Sequence, residues 1–302
     1  MKKDLLGIND LTKEDMKAII ARAIAFKKDK GNTSYRPLVG KTIGLIFEKA
    51  STRTRVSFEA AMFQLGGNVT FLSTRDTQLA RQEPLADTAR VLSRYLDGLV
   101  VRTFAQETVE ELANHATIPV INGLTDLYHP CQILSDVMTV IEKKGAMEDL
   151  KVAWVGDGNN VAHSWIEAAA TLGFSLSLAC PGGYGPQPEV LEPALKKAQK
   201  PILPFEDPAK AVEGADVINT DVWASMGQED EAAERQKVFR PYQVNSELLR
   251  LAKGDAIVLH CLPAHRGEEI TAEVLEGPQS VVFDQAENKL HVHKAILAMM
   301  IK

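Results

Sequence analysis

Cysteine is scarce in this chain, three residues in 302, and Cys131, Cys180 and Cys261 lie far apart. That excludes a disulfide framework and a Cys-x-x-Cys zinc ribbon, so each thiol matters only through its local chemistry. Long apolar runs are missing too. None reaches the ~20 residues of a membrane helix, and Met1-Lys2-Lys3-Asp4 lacks the apolar h-region of a signal peptide. A cytoplasmic protein without a membrane partner is expected. Nor is there an excess of positive charge: 34 Lys and Arg against 40 Asp and Glu leave a formal charge of −6, with no long basic tail. Non-specific nucleic-acid binding is excluded on that ground, and a small-molecule partner is favoured. Hydrophobic residues are plentiful at 45%, enough to supply cores for two α/β domains.

Strand and helix patterns alternate along the whole chain. Leu11 to Lys28 reads as an amphipathic helix opened by Thr12-x-x-Asp15, followed by a strand over Thr42 to Phe47 and a helix carrying Val56, Phe58, Ala61 and Met62. Strands at Asn68 to Leu72, Leu99 to Val101 and Pro119 to Asn122 alternate with helices at Ala86 to Tyr95 and Thr108 to His115. Ser73 to Pro84 is a polar loop carrying Gln78, Arg81 and Gln82. A helix over Ile133 to Glu142 leads to a linker at Gly145 to Leu150, and Val152 opens a second strand–turn–helix series. Its further strands are expected at Ser175 to Ala179, Val217 to Asn219, Ile257 to Leu259 and Val281 to Phe283, with helices around Val190 to Gln199, Ala209 to Glu213 and Ser246 to Leu251. A last helix, Glu287 to Ile301, is expected to return to the first domain. The fold class is therefore α/β: two Rossmann-like domains, each a mostly parallel sheet flanked by helices, joined by interdomain helices. The division falls at residues 1–144 with 286–302 and 145–285. Ligands belong at the carboxyl ends of such strands.

Phe47-Glu48-Lys49-Ala50-Ser51-Thr52-Arg53-Thr54-Arg55 is a strand-to-helix turn dense in hydroxyls and guanidiniums. Free amides and the positive end of a helix dipole make it a phosphate site, with Ser51, Thr52, Arg53 and Thr54 as ligands; a merely capped helix with surface arginines is the alternative. Gly156-Asp157-Gly158-Asn159-Asn160 resembles a truncated dinucleotide fingerprint without its third glycine, and suits equally a carboxylate grip by Asn160 or a tight turn. Asp221 to Glu229 follows a strand and reads as a mobile loop hinged at Gly227 and carrying an ammonium-binding acid. In His260-Cys261-Leu262-Pro263-Ala264-His265-Arg266 a thiol leaves a strand end beside two histidines and an arginine, which suits thiolate chemistry; a buried, inert cysteine is the alternative. His260, Cys261 and His265 match no common zinc-ligand spacing.

Together these segments resemble the ornithine carbamoyltransferases. Phe47-Glu48-Lys49-x-Ser51-Thr52-Arg53-Thr54-Arg55, His129-Pro130-Cys131-Gln132, Asp221-x-x-x-Ser225-Met226-Gly227 and His260-Cys261-Leu262-Pro263 appear in that family's order across most of the chain. The resemblance implies an amino-terminal carbamoyl-phosphate domain, a carboxyl-terminal L-ornithine domain, and a homotrimer with sites at subunit boundaries. It implies that Ser51, Thr52, Arg53 and Thr54 bind phosphate, and that Arg102, His129 and Gln132 meet the carbamoyl group and phosphate. It further implies that Gln78 reaches a neighbouring subunit's site, that Asn160, Asp221, Ser225 and Met226 hold ornithine's α-groups, and that Cys261 and Leu262 line the reacting centre. No metal and no cofactor are called for.

The reaction so implied is attack of a neutral δ-amine on the carbamoyl carbon. Arg102, His129 and Thr54 are then the oxyanion donors, Cys261 with Asp221 favours the free amine, and the departing phosphate can accept the proton. Closure of the two domains and of the Ser225-Met226-Gly227 loop would exclude water. Two positions depart from the family pattern: Ala50 stands where proline is common, and Lys289 stands where an arginine contacts carbamoyl phosphate, keeping the charge without the planar fork. The competing functions are a nucleotide-dependent oxidoreductase built on the Gly156 turn, a carbamoyltransferase for another amine such as putrescine, and a non-catalytic binding protein.

Overall fold

The first α-helix starts where its side chains can close a cap. Thr12 accepts from the Asp15 amide and Asp15 returns a bond to the Thr12 amide, so α1 (Lys13–Lys28) opens on a capping box. The computed structural model describes residues 1–31, 34–73, 83–225 and 227–302. They form two units, Met1–Met138 with Glu287–Lys302, and Thr139–Ala286.

In the first unit β1 (Thr42–Phe47), β2 (Asn68–Ser73), β3 (Gly98–Arg102) and β4 (Val120–Leu124) make a wholly parallel sheet in the order β2-β1-β3-β4. Crossovers run through α2 (Thr52–Gln64), α3 (Leu85–Leu92) and α4 (Gln106–His115). Every residue of β3 and β4 is buried, as expected of strands covered on both faces. Val101, Leu99 and Ile46 pack with Val109, Leu112 and Ala89 from the helices. The register aligns Phe47 with Arg102, so the start of the Ser51 turn and Arg102 emerge at the same end of the sheet.

α5 (Pro130–Lys144) leads to the second unit, where β5 (Lys151–Val155), β6 (Ser175–Ala179), β7 (Ile202–Phe205), β8 (Val217–Thr220) and β9 (Ile257–His260) form a parallel sheet in the order β7-β6-β5-β8-β9. The helices of this unit are α6 (Asn160–Leu172), α7 (Pro188–Lys197), α8 (Pro208–Val212), α9 (Ala232–Phe239), α10 (Ser246–Leu249) and α11 (Ala272–Leu275). β8 and β9 are neighbours with Thr220 aligned to His260, which brings Asp221 and Cys261 side by side one residue later.

Three expectations change. Val281 to Phe283 is not a strand: α12 runs over Val282–Met300, so the final helix starts earlier than the Glu287 pattern suggests. A short β-branched and aromatic trio carries no period that separates strand from helix. β7 was not expected, and the acidic stretch after Glu229 is a 3-10 turn, Glu229–Glu231, leading into α9. Gln78, Arg81, Gln82 and Met226 lie outside the described residues. No helix among those described is long and apolar enough to cross a membrane.

Candidate functional site

In the first unit the Ser51 hydroxyl caps α2, accepting from the Thr54 amide at 3.2 Å. Thr52 and Arg53 are exposed, while Thr54 is buried and its Oγ1 has no hydrogen-bond partner among the described residues. A buried hydroxyl left without a partner costs roughly 1–3 kcal/mol, which a bound anion at this helix start would recover. Arg55 is engaged locally, paired with Glu59 at 2.8 Å and lying over the Phe71 ring. Behind the turn, the Ser57 hydroxyl bonds to the Thr54 carbonyl and meets His293 Nδ1 at 2.8 Å, while the His293 ring stacks on Phe58 at 3.7 Å. Residues 236 positions apart thus brace the first turns of α2.

Arg102, His129, Gln132 and Lys289 are all buried. Lys289 Nζ donates to Gln132 Oε1 at 3.1 Å, and Gln132 Nε2 donates to Asp136 Oδ1 at 2.8 Å. Burial, with the charges of Lys289 and Arg102 and the His293 ring adding to it, holds His129 well below the ordinary imidazole range. Burial and Lys289 do the same to His293. Both rings are therefore neutral at pH 7, so His129 can donate a hydrogen bond without carrying charge. Cys131, although in the same motif, is inert: its thiol donates to the Asn122 carbonyl at 3.4 Å and burial pushes it up to about 12.

In the second unit Cys261 Sγ lies 3.1 Å from Asp221 Oδ1. The other carboxylate oxygen accepts from Asn159 Nδ2 at 3.0 Å, and Asp221 Oδ1 also accepts from the Val222 amide at 2.9 Å. Asn159, the cap of α6, was not singled out in the sequence, where its neighbour Asn160 was; Asn160 is the buried first residue of that helix. Leu262 follows with φ 58° and a cis bond to Pro263, and its amide donates to His260 Nδ1 at 2.9 Å. His260 Nε2 faces Glu269 Oε1 at 2.9 Å, so both ring nitrogens are committed and none is left for a metal shared with Cys261. Ser225 is half-buried and its amide bonds to the Gln228 side chain at 2.9 Å. Arg235, buried on α9, was also missed: it donates to the Trp223 carbonyl at 2.9 Å and pairs with Asp157 at 3.2 Å, tying the Asp221 loop to the glycine turn.

That turn is closed to a dinucleotide. The Gly158 amide is spent on the Tyr184 carbonyl at 2.8 Å, and a Cβ at Gly158 would meet the Gly185–Pro186 backbone at 2.3 Å. The backbone needed to cradle a pyrophosphate is already used in packing.

Comparison with known proteins matches the chain twice. Residues 3–142 fit the aspartate/ornithine carbamoyltransferase carbamoyl-P binding domain, and residues 148–300 fit the Asp/Orn binding domain of the same family. An ornithine carbamoyltransferase of Desulfotalea psychrophila is 64% identical over 298 residues, covering 98% of both chains. Among solved structures, ornithine carbamoyltransferase from Pyrococcus furiosus superposes with a TM-score of 0.95 at 53% identity, covering 99% of this chain and 96% of that one. The anabolic enzyme of Campylobacter jejuni gives 0.94 at 41% identity, covering 99% of each. With two site-bearing sheets, both domain matches and near-complete coverage in agreement, the chain belongs to the aspartate/ornithine carbamoyltransferase family.

Proposed function

We propose that this protein is a carbamoyltransferase that moves the carbamoyl group from carbamoyl phosphate to the δ-amine of L-ornithine, giving L-citrulline and phosphate. The observation that carries the choice of acceptor is the Cys261–Asp221 contact of 3.1 Å, held by Asn159 at the ends of neighbouring strands. A thiol and a carboxylate so fixed can receive and orient an amine.

Ser51, Thr52, Arg53 and Thr54 bind the phosphate at the start of α2, with Arg102, Gln132 and Lys289 adding donors and charge. The neutral amine forms the new C–N bond as the carbamoyl oxygen gathers negative charge. Arg102, neutral His129 and Thr54 donate to that oxygen. Collapse breaks the C–O bond, and the departing phosphate takes the amine proton. Asp221 and Ser225 with Met226 hold the α-ammonium, Asn160 the α-carboxylate, and Cys261 with Leu262 lines the reacting end; Gln78 serves the site of a neighbouring subunit. No metal or cofactor enters these steps.

The same proposal includes a homotrimer, a cytoplasmic location and a role in arginine biosynthesis. Exposed apolar side chains on the first unit, Phe63 at 81% and Tyr95 at 74%, support burial against other copies. The test is a comparison of kcat/KM for ornithine, putrescine, N-acetylornithine and aspartate as acceptors. Strong preference for ornithine is expected, because putrescine lacks the carboxylate and N-acetylornithine the charged α-amine, leaving buried polar groups unpaired. Equal or better turnover of putrescine overturns the assignment.

A further inference from the structure

Beyond the strand that delivers Cys261, the chain makes a tightly pinned turn over residues 265–270. The Glu268 amide donates to the His265 carbonyl at 2.9 Å, the Gly267 amide to the Ile270 carbonyl at 2.9 Å, and the Val244 amide to the Glu269 carbonyl at 2.8 Å. Gln243 Nε2 donates to both the Gly267 and Glu268 carbonyls at 2.8 Å. The backbone is thus fixed from two sides before any ligand is considered.

Three side chains converge above it. His265 Nδ1 lies 3.8 Å from Glu268 Oε2 and 3.9 Å from Glu269 Oε2, and the three ligand atoms all fall within 4.8 Å of one another. Glu269 is the unusual member. Its side chain is fully buried, and its Oε1 accepts from His260 Nε2 at 2.9 Å and the His265 amide at 2.6 Å. Its Oε2 has no hydrogen-bond donor among the described residues. A buried carboxylate oxygen in that state keeps the cost of lost hydration unless a cation meets it. None of these three residues has a part in the proposed carbamoyl transfer.

We infer that His265, Glu268 and Glu269 form a binding site for one first-row divalent cation of the zinc type. One imidazole and two carboxylates are a donor set such ions accept, with zinc–ligand bonds of about 2.0–2.2 Å. Donors around a tetrahedral ion of that size stand about 3.4 Å apart, so the observed distances close by a small rotation of two side chains. Those two are the accessible ones: the His265 side chain is 53% exposed and Glu268 39%, whereas Glu269 is locked. The two donors held on Glu269 Oε1 orient its other oxygen, as outer hydrogen bonds orient ligands at metal centres. Bound there, the ion links the 265–270 turn to β9 through the Glu269–His260 bond and stabilises the folded chain.

The experiment is a Co²⁺ titration of the full chain carrying Cys261→Ser, which removes the strand-end thiol as a competitor. One equivalent is expected, with visible bands of nitrogen and oxygen ligation. His265→Ala and Glu268→Gln, both at accessible positions, should each weaken binding at least about tenfold, no less than the loss of an outer hydrogen-bond partner does. Without the cobalt probe, Zn²⁺ should raise the Tm of the Cys261→Ser chain and fail to do so once His265→Ala is added. If the His265→Ala/Glu268→Gln double variant binds Co²⁺ as tightly as its parent, the site does not exist. The same holds if Zn²⁺ shifts the Tm of both chains alike.

Discussion

Replacing Lys289 with methionine separates the charge at the proposed phosphate pocket from the packing around it. Lys289 is 5% exposed; methionine keeps much of its stem and removes the ammonium that donates to Gln132 Oε1 at 3.1 Å. Losing one charge-assisted contact to a phosphate oxygen costs about 1.5–3 kcal/mol, or roughly 10- to 150-fold in affinity. Folding responds differently. Gln132 Oε1 loses its donor, but a buried ammonium and its cost of lost hydration are removed as well, so opposing effects of order 1–3 kcal/mol offset one another. The unliganded Tm should therefore move little while affinity for a phosphonate analogue of carbamoyl phosphate collapses. An internal control accompanies this: Lys289 is among the causes that depress both His129 and His293, so by NMR both rings should titrate at higher pH in the variant. Lys289→Arg, which restores a cation with a planar fork, should keep or improve analogue affinity. Calorimetric titration is the assay. A folded Lys289→Met chain that binds the analogue like the parent would show that this lysine has no contact with the phosphate.

Thr54→Val, nearly isosteric, removes the partnerless buried hydroxyl, so the unliganded Tm should hold or rise while KM for carbamoyl phosphate increases; a fall in the unliganded Tm would mean that the hydroxyl already has a structural partner. Cys261→Ser should fold normally and lower kcat far more than it raises the KM of carbamoyl phosphate, and unchanged kcat would reduce the thiol to packing. Asp157 is raised from the ordinary 3.8 to about 6, chiefly by burial and partly against the pull of Arg235. Its folded form holds a proton that the unfolded chain has released between those values, so stability falls as pH rises through that window and is flat above it. The stability of the parent relative to Asp157→Asn should fall by about 2.5 kcal/mol from pH 4 to pH 7, and a difference independent of pH contradicts the assignment.

Buried parallel strands announce themselves as short apolar runs, which is why Leu99-Val100-Val101 and Ile257-Val258-Leu259 were legible from sequence. β7 was not, because Ile202-Leu203-Pro204-Phe205 carries a proline, a residue that only an edge strand tolerates, and β7 is that edge. α9 was hidden by its polarity: Glu234, Arg235, Gln236 and Lys237 interrupt any apolar face, yet Arg235 turns inward to meet Asp157. The hydroxyl-rich turn and the strand-end thiol could be read because polar and reactive groups cluster locally there. Their supports could not. Ser57 with His293, Asn159 with Asp221 and His260 with Glu269 meet only after the chain has folded, and nothing in the spacing of such residues signals the encounter.

Asn159 shows what this does to the tolerance of a single position. Its Oδ1 accepts the Val161 and Ala162 amides while its Nδ2 donates to Asp221. As a helix cap alone, the position would accept serine, threonine or aspartate at modest cost. Toward Asp221, however, aspartate offers repulsion where a donor is wanted, and serine or threonine has only one short hydroxyl for two directions. A library randomised at position 159 and screened for folded protein should return several residues. Screened for turnover, it should return asparagine alone, so that one codon is held by two unrelated selections of very different stringency.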